Sequence, residues 1–203
     1  MRIGRLEAFS DGVLAVIITI MVLEMKPPHG HDLASLKPVF PVFVSYVLSF
    51  IYIGIYWNNH HHLMHAVEFV SGKVLWANIH LLFWLSLVPF TTEWMGENNF
   101  TTWPVALYGI ILLMSGVAYY ILVRLLIQLH GKDSTLALAV GVDQKGIISV
   151  IIYLVAVPLC FVKAWIGLSL YALVAAIWFI PDRRIEKKLA HPPRDGNRDI
   201  FAG

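Results

Sequence analysis

The chain has 203 residues, of which 58% are hydrophobic and only 14% are charged, and its mean hydropathy is +0.71. A soluble globular domain is about 45–50% apolar and about 25% charged, so the composition excludes an ordinary soluble domain and predicts an integral membrane protein. The net charge of +2 does not indicate a nucleic-acid partner, and the single cysteine, Cys160, excludes an intrachain disulfide.

Six segments are long and apolar enough to be membrane-spanning helices, which need about 20 mostly apolar residues. The predicted spans are residues 6–25, 38–57, 73–92, 104–127, 146–163 and 165–181. The connections are short and carry turn signals, such as Pro27-Pro28 and Gly131. We therefore predict an all-α integral membrane protein, with one domain over residues 1–181 and a charged cytoplasmic tail over residues 182–203.

The distribution of basic residues predicts the orientation in the membrane. If the first helix begins in the cytoplasm, only Lys26, Lys37 and Lys163 of the 15 Lys and Arg residues fall on the outer side. Cytoplasmic loops carry an excess of Lys and Arg. We therefore expect both termini in the cytoplasm and a multi-pass protein of the cell membrane.

The first helix carries charged and polar residues at its N-terminal end. Phe9, Ser10 and Asp11 precede the apolar run, and Arg5 lies one turn upstream. An ionisable side chain within a membrane helix is a functional hypothesis by default. The alternative is that Asp11 only caps the helix at the cytoplasmic interface.

A helical wheel separates two faces of this first helix. At about 100° per residue, Val16, Ile20 and Leu23 share one stripe, Thr19 lies on its flank, and Asp11 lies about 140° from it. Asp11 therefore faces a different neighbour from the apolar stripe. Such a stripe is usually explained by packing against lipid.

The second helix is followed by a histidine cluster, WNNHHHLMH, from Trp57 to His65. His61 and His65 have the i, i+4 spacing of zinc ligands on a helix. Cysteines are absent from this region and carboxylates are scarce, which disfavours a closed zinc site. We expect hydrogen-bonded interfacial histidines, with no bound metal and no cofactor.

The third helix contains Asn78 and His80, residue types that bond between membrane helices. In the predicted topology, Asn78 lies toward the cytoplasmic side, as do Ser10, Asp11 and the pair His60 and His61. A single polar network joining three helices would explain these residues.

Several common functional motifs are missing from the sequence. It has no G-x-S-x-G, H-E-x-x-H, Walker or G-x-G-x-x-G pattern, so an enzyme is not expected. It also has no T-V-G-Y-G filter and no Arg-rich voltage sensor. A channel built from this chain would have to select ions by other means.

Three ordered motifs resemble those of one membrane protein family. The first is R-x-x-x-F-S-D, from Arg5 to Asp11. The second is W-x-N-H-H, at Trp57, Asn59, His60 and His61, and the third is N-x-x-x-L…P-F, at Asn78, Leu82, Pro89 and Phe90. Together they resemble the transmembrane protein 175 family of endosomal and lysosomal potassium channels, in its single-repeat prokaryotic form.

The resemblance implies a potassium-selective or potassium-preferring cation channel in the plasma membrane of a prokaryote. It implies that a one-repeat chain forms a homotetramer in the lipid bilayer, with the first helix around a pore for K⁺. By spacing from Phe-Ser-Asp, the hydrophobic constriction falls on Val16, and the other pore-lining residues are Thr19, Ile20 and Leu23. A ring of branched aliphatic side chains can gate by dewetting.

The remaining candidate residues lie on either side of this pore lining. Glu24, just past the end of the first helix, is expected to raise the cation concentration at the outer mouth. The interhelical polar network is expected to contain the following residues: Arg5, Phe9, Ser10, Asp11, Asn59, His60, His61 and Asn78.

Two other functions stay open at this point. A proton-coupled secondary transporter would use Asp11 and a histidine as a relay, but such proteins tend to show internal repeats and broken helices, which the sequence lacks. A membrane scaffold or assembly factor would carry no ion flux.

Overall fold

The computed structural model describes residues 3–67, 69–131, 134–140 and 143–179. The predicted tail, residues 182–203, lies outside the described residues, as does the end of the predicted sixth helix. Over the described ranges the chain is helical, with no β-strand assigned. The prediction of an all-α fold is therefore confirmed for this part of the chain.

The described residues form eight α-helices and one 3₁₀ helix. In chain order they are α1 (Gly4–Leu23), the 3₁₀ helix (Leu33–Val39), α2 (Phe40–His65), α3 (Gly72–Ser86), α4 (Val88–Glu97), α5 (Thr102–His130), α6 (Thr135–Val140), α7 (Gln144–Leu159) and α8 (Ala164–Phe179). The histidine cluster thus lies within the last two turns of α2, beyond the predicted end at residue 57.

The predicted third span, residues 73–92, lies within the apolar segment Gly72–Glu97, but this segment is not one regular helix. It is divided at Leu87, which caps both the C-terminus of α3 and the N-terminus of α4. Pro89 follows in the first turn of α4 and has no N–H to donate to the carbonyl group of Leu85. The proline therefore ends one helix and begins the next.

Among the residues that the structure describes, four apolar helical segments have the length and hydropathy to cross a membrane. They are Gly4–Leu23, Leu33–His65, Gly72–Glu97 and Thr102–His130. α7 and α8 are equally apolar but have only 16 residues each. At 1.5 Å per residue these two helices are about 24 Å long.

α5 is the central helix of the bundle, in contact with α3, α4, α7 and α8. α1 packs on the other side of the bundle, against α2, α3 and α4. Buried tyrosines join α2 to the C-terminal helices. Tyr52 donates to the backbone oxygen of Tyr171 at 2.6 Å and accepts from the Tyr153 hydroxyl at 3.1 Å. These contacts fix α2, which packs against α1, to the C-terminal helices α7 and α8.

Candidate functional site

α1 buries one face and leaves the other exposed. The buried side chains recur at helical spacing, and they are Leu6, Ser10, Leu14, Ile17 and Met21. On the opposite face, Val16 is 56% exposed and Leu23 is 74% exposed, whereas Ile17 is 3% exposed. Ile20 and Thr19 are also exposed. All four predicted pore-lining residues thus lie on the face of α1 that the described part of its own subunit does not cover.

This exposed stripe of α1 differs in composition from the exposed face of α7. The α1 stripe includes Gly12, Ala15 and Thr19 beside Val16. The exposed face of α7 carries mainly bulky apolar side chains, among them Ile147, Ile148, Ile151, Leu154 and Val155. Small residues on a membrane helix allow another backbone to approach closely. The α1 stripe therefore suits contact with other helices better than contact with lipid tails.

Thr19 contributes a hydroxyl group to the stripe. Its Oγ1 donates to the backbone oxygen of Ala15 at 2.9 Å. A threonine hydroxyl has one proton and two acceptor lone pairs, so this bond leaves the oxygen free to accept or to approach a cation.

A buried chain of hydrogen bonds joins α1, α3 and α2. The Asn78 Nδ2 group donates to Ser10 Oγ at 2.9 Å, and Asn78 Oδ1 lies 2.8 Å from His60 Nε2. All three side chains are buried, with at most 2% of their surface exposed. Asn78 on α3 therefore connects the first helix to the second.

The hydrogen-bond pattern assigns the protons in this chain. The Ser10 hydroxyl donates to the Leu6 carbonyl group at 2.8 Å, so it accepts from the Asn78 amide. The Asn78 oxygen then faces His60, whose Nε2–H is the donor. His60 is thereby held as the Nε2–H tautomer, and no hydrogen bond to its buried Nδ1 is formed within the described residues.

A second set of contacts links α1 and α2 at two successive turns. The Trp57 Nε1–H donates to Asp11 Oδ1 at 3.1 Å. One turn away on both helices, His61 Nδ1 lies 3.4 Å from Glu7 Oε1. The Trp57 and His61 rings are stacked, with centroids 5.7 Å apart and planes 19° apart. We call the Trp57–Asp11 and His61–Glu7 contacts the α1–α2 ladder.

Three predicted network residues lie apart from these contacts. Arg5 is exposed, and Phe9 is 57% exposed on the same face of α1 as Val16. The Asn59 side chain donates to the Ile55 carbonyl group of its own helix at 2.8 Å. The structure therefore brings together Ser10, Asn78 and His60. Asp11 and His61 lie nearby but bond to other residues, Trp57 and Glu7.

Glu24 lies among charged residues at the other end of α1. Its carboxyl group lies near that of Glu93 on α4. Lys26 pairs with Glu97 at 3.2 Å and with Glu93 at 3.9 Å. The hydrogen bond that the Lys26 ammonium group donates to Glu97 raises the pKa of Lys26 above its ordinary value, because it favours the charged form.

Sequence reasoning missed Glu7 and Trp57 as site residues. Both follow from helical spacing, because Glu7 lies four residues before Asp11 and Trp57 lies four residues before His61. The contacts of these residues between α1 and α2 depend on the antiparallel register of the two helices. A helical wheel of α1 alone gives no information on that register.

Comparison with known proteins covers the site and most of the chain. The family model described as endosomal/lysosomal potassium channel TMEM175 matches residues 5–89. A potassium channel of Chryseobacterium sp. (strain P1-3) is 56% identical over 186 residues, which are 92% of this chain and 97% of that protein. The residues matched by the family model include the Ser10–Asn78–His60 chain and the α1–α2 ladder.

A solved structure and a vertebrate protein are also similar. The crystal structure of a lysosomal potassium-selective channel TMEM175 homolog from Chamaesiphon minutus has a TM-score of 0.75 and 26% sequence identity, and it covers 90% of this chain and 97% of that chain. An endosomal/lysosomal proton channel TMEM175 of Danio rerio is 24% identical over 132 residues, which are 63% of this chain and 24% of that protein.

Proposed function

This chain belongs to the endosomal/lysosomal potassium channel (TMEM175) family, and on that premise we propose that it is a potassium-preferring cation channel in the plasma membrane of a prokaryote. The resemblance inferred from the Phe9-Ser10-Asp11 motif is confirmed by the family match and by the bacterial relatives. The name of the Chryseobacterium relative supports potassium as the permeant ion. Membership in a channel family also disfavours an enzyme.

The proposed topology has six membrane-spanning segments with both termini in the cytoplasm. α3 and α4 together form the third segment, and α7 and α8 cross as a hairpin turned at residues 160–163. The twelve remaining basic residues, set against Lys26, Lys37 and Lys163, support this orientation. At about 24 Å, α7 and α8 are short for a hydrocarbon core of about 30 Å, which local bilayer thinning accommodates.

Four copies of the chain surround the pore in this proposal, with α1 of each copy at the axis. The observation that carries it is the exposed stripe of small and branched residues on α1. One such stripe cannot enclose a path, whereas copies related by cyclic symmetry can. The Ser10–Asn78–His60 chain and the α1–α2 ladder fix the opposite face of α1 to its own subunit.

Val16 forms the hydrophobic constriction in the proposed pore. Four valine side chains at one level make a narrow apolar ring, which can close by dewetting. Thr19, one turn outward, offers hydroxyl oxygens that replace part of the hydration shell of a cation. Ile20 and Leu23 continue the lining, and Glu24 attracts cations to the outer mouth.

Ion flux through purified protein in liposomes tests this proposal. We expect Val16→Asn to raise K⁺ flux and Val16→Trp to lower it, each by on the order of tenfold, which corresponds to about 1.4 kcal/mol in the barrier. Val155→Asn, on the exposed face of α7, is the matched control and should leave flux unchanged. Unaltered flux in both Val16 variants would remove this residue from the constriction.

The second candidate is a proton pathway, either as a proton-coupled transporter using Asp11 and a histidine or as proton permeation. The Danio rerio relative is named a proton channel, which supports protons as an alternative permeant ion. Asp11 bonds to Trp57, and His60 bonds to Asn78, so these two groups do not contact each other directly. K⁺ flux driven by voltage at equal pH on both sides supports the channel, and strict dependence on a proton gradient supports the transporter.

A further inference from the structure

Three side chains at one end of α1 converge on a common point. Glu7 comes from α1, and His61 and His65 come from consecutive turns of α2. One carboxylate oxygen and one ring nitrogen from each histidine all lie within 4.8 Å of one another. Carboxylates are scarce near the histidine cluster in the sequence, but the fold supplies one from the neighbouring helix.

The donor set is typical of a borderline transition metal. Two imidazole nitrogens and one carboxylate oxygen suit Zn²⁺ and its neighbours in the first transition row, whereas Mg²⁺ and Ca²⁺ prefer oxygen ligands alone. Three protein ligands with a fourth position open to water are the usual arrangement of an accessible zinc site.

The distances match the size of such an ion. Bonds of about 2.0–2.1 Å in a tetrahedron place neighbouring ligand atoms about 3.3 Å apart. Glu7 Oε1 and His61 Nδ1 are already 3.4 Å apart. The His65 ring lies edge-on to His61, with centroids 4.4 Å apart, and its side chain is exposed. The donor atom of His65 lies within 4.8 Å of the other two, and its exposed side chain has room to approach them.

The α1–α2 ladder orients the ring of His61. Trp57 stacks on the His61 ring and is itself held by its bond to Asp11. Outer contacts of this kind fix the ring plane of a metal ligand and are part of a metal site. Glu7 and His61 thus present their donor atoms to each other before any ion is bound.

We propose that Glu7, His61 and His65 bind a divalent transition-metal cation of the Zn²⁺ class, which clamps α1 to α2. The bound ion would replace a single contact between Glu7 and His61 with bonds to one centre from both helices. The effect on conduction rests on the proposed function, because only there does α1 line the pore. Binding itself does not depend on that function.

Metal binding to the purified, untagged protein in detergent tests the site. With ZnCl₂ as the probe, titration calorimetry should give one site per chain, and CoCl₂ should produce a visible absorption band of tetrahedral character. Glu7→Gln and His65→Ala should weaken Zn²⁺ binding by roughly tenfold or more, since outer-shell changes alone cost 10–100-fold. His31→Ala, an exposed histidine in the loop before α2, should bind as the unaltered protein does.

Two results would overturn the site. One is Zn²⁺ affinity in Glu7→Gln and His65→Ala equal to that of the unaltered protein, and the other is the absence of any Co²⁺ band. Because His65 is exposed, His65→Ala is expected to fold, and its unchanged melting temperature without metal checks this.

Liposome flux with and without ZnCl₂ tests the clamp separately. Zn²⁺ should change K⁺ flux in the unaltered protein and in His31→Ala, and leave it unchanged in Glu7→Gln and His65→Ala. Zn²⁺ binding without any change of flux would overturn the clamp. If no variant conducts even without metal, the proposed channel function fails, while calorimetry and the Co²⁺ spectrum still decide the metal site.

Discussion

Asn78 connects three helices through one side chain. Its amide group donates to Ser10 on α1, and its oxygen accepts from His60 on α2. All three residues are buried, so water does not readily replace a lost partner. A buried donor or acceptor that loses its partner costs about 1–3 kcal/mol. The stability of this corner of the bundle therefore depends strongly on residue 78.

We expect Asn78→Ala to lower the free energy of unfolding by about 1–3 kcal/mol, because the His60 Nε2–H loses its acceptor. Thermal or denaturant unfolding in detergent measures the loss. Asn59→Ala is the matched control, since the Asn59 amide bonds within its own helix, and it should change stability by no more than about 0.5 kcal/mol. Equal losses in the two variants would contradict the role of Asn78 as a connector.

The polar residues show how far the sequence alone predicts the site. Ser10, His60 and Asn78 were identified because polar side chains are rare in membrane helices and these lie at the same predicted depth. Phe9 was grouped with Ser10 by its motif, although it lies on the exposed face with Val16. Residues that adjoin in sequence point to different sides of a helix, so membership of a motif does not determine which contacts a residue makes.

At the scale of elements, helix identity was easier to predict than helix continuity. Apolar length identified the spans, but the division at Leu87 depends on Pro89, and α2 continues through a histidine cluster that looks polar in sequence. α2 and α4 also approach closely at Gly96. A methyl group added there would lie 2.6 Å from the Cα of Val42.

Gly96→Ala should therefore force α2 and α4 apart and destabilise the subunit by about 1–3 kcal/mol. Gly54→Ala provides the contrast, because a methyl group at Gly54 meets nothing within 4 Å and alanine favours the helix by about 0.5–1 kcal/mol. Melting temperatures of the two variants in the same detergent test the difference. A Gly96→Ala protein as stable as Gly54→Ala would show that the two helices tolerate separation.

At the scale of the whole molecule, the described residues of the subunit leave one side of α1 uncovered. Gly12 lies on that side, and a methyl group there also meets nothing within 4 Å in the subunit. The family, the helical fold and the position of the stripe were all accessible from sequence. The cross-helix ladder was not, because its register is set by packing of α1 and α2 on α3 and α4.

If four α1 helices meet at an axis, Gly12→Trp should block their approach and reduce the tetramer fraction severalfold, with little change in the fold of each subunit. Native mass spectrometry of detergent-purified protein measures the fraction, and circular dichroism measures the fold. Ile151→Trp, on the exposed face of α7, should assemble normally. A full yield of tetramer from Gly12→Trp would place the axis elsewhere.

The two faces of α1 differ in how freely their residues can be substituted during evolution. Its inward side is tied to the fold by Leu14, Ile17 and the Asn78 connection, so substitutions there are removed by loss of stability. Val16 and Leu23 contribute little to packing within the subunit, and surface substitutions usually alter stability by no more than about 0.5 kcal/mol. If α1 lines the pore as proposed, selection can therefore vary the residues at these positions, and with them the ions admitted, with little effect on the stability of the subunit.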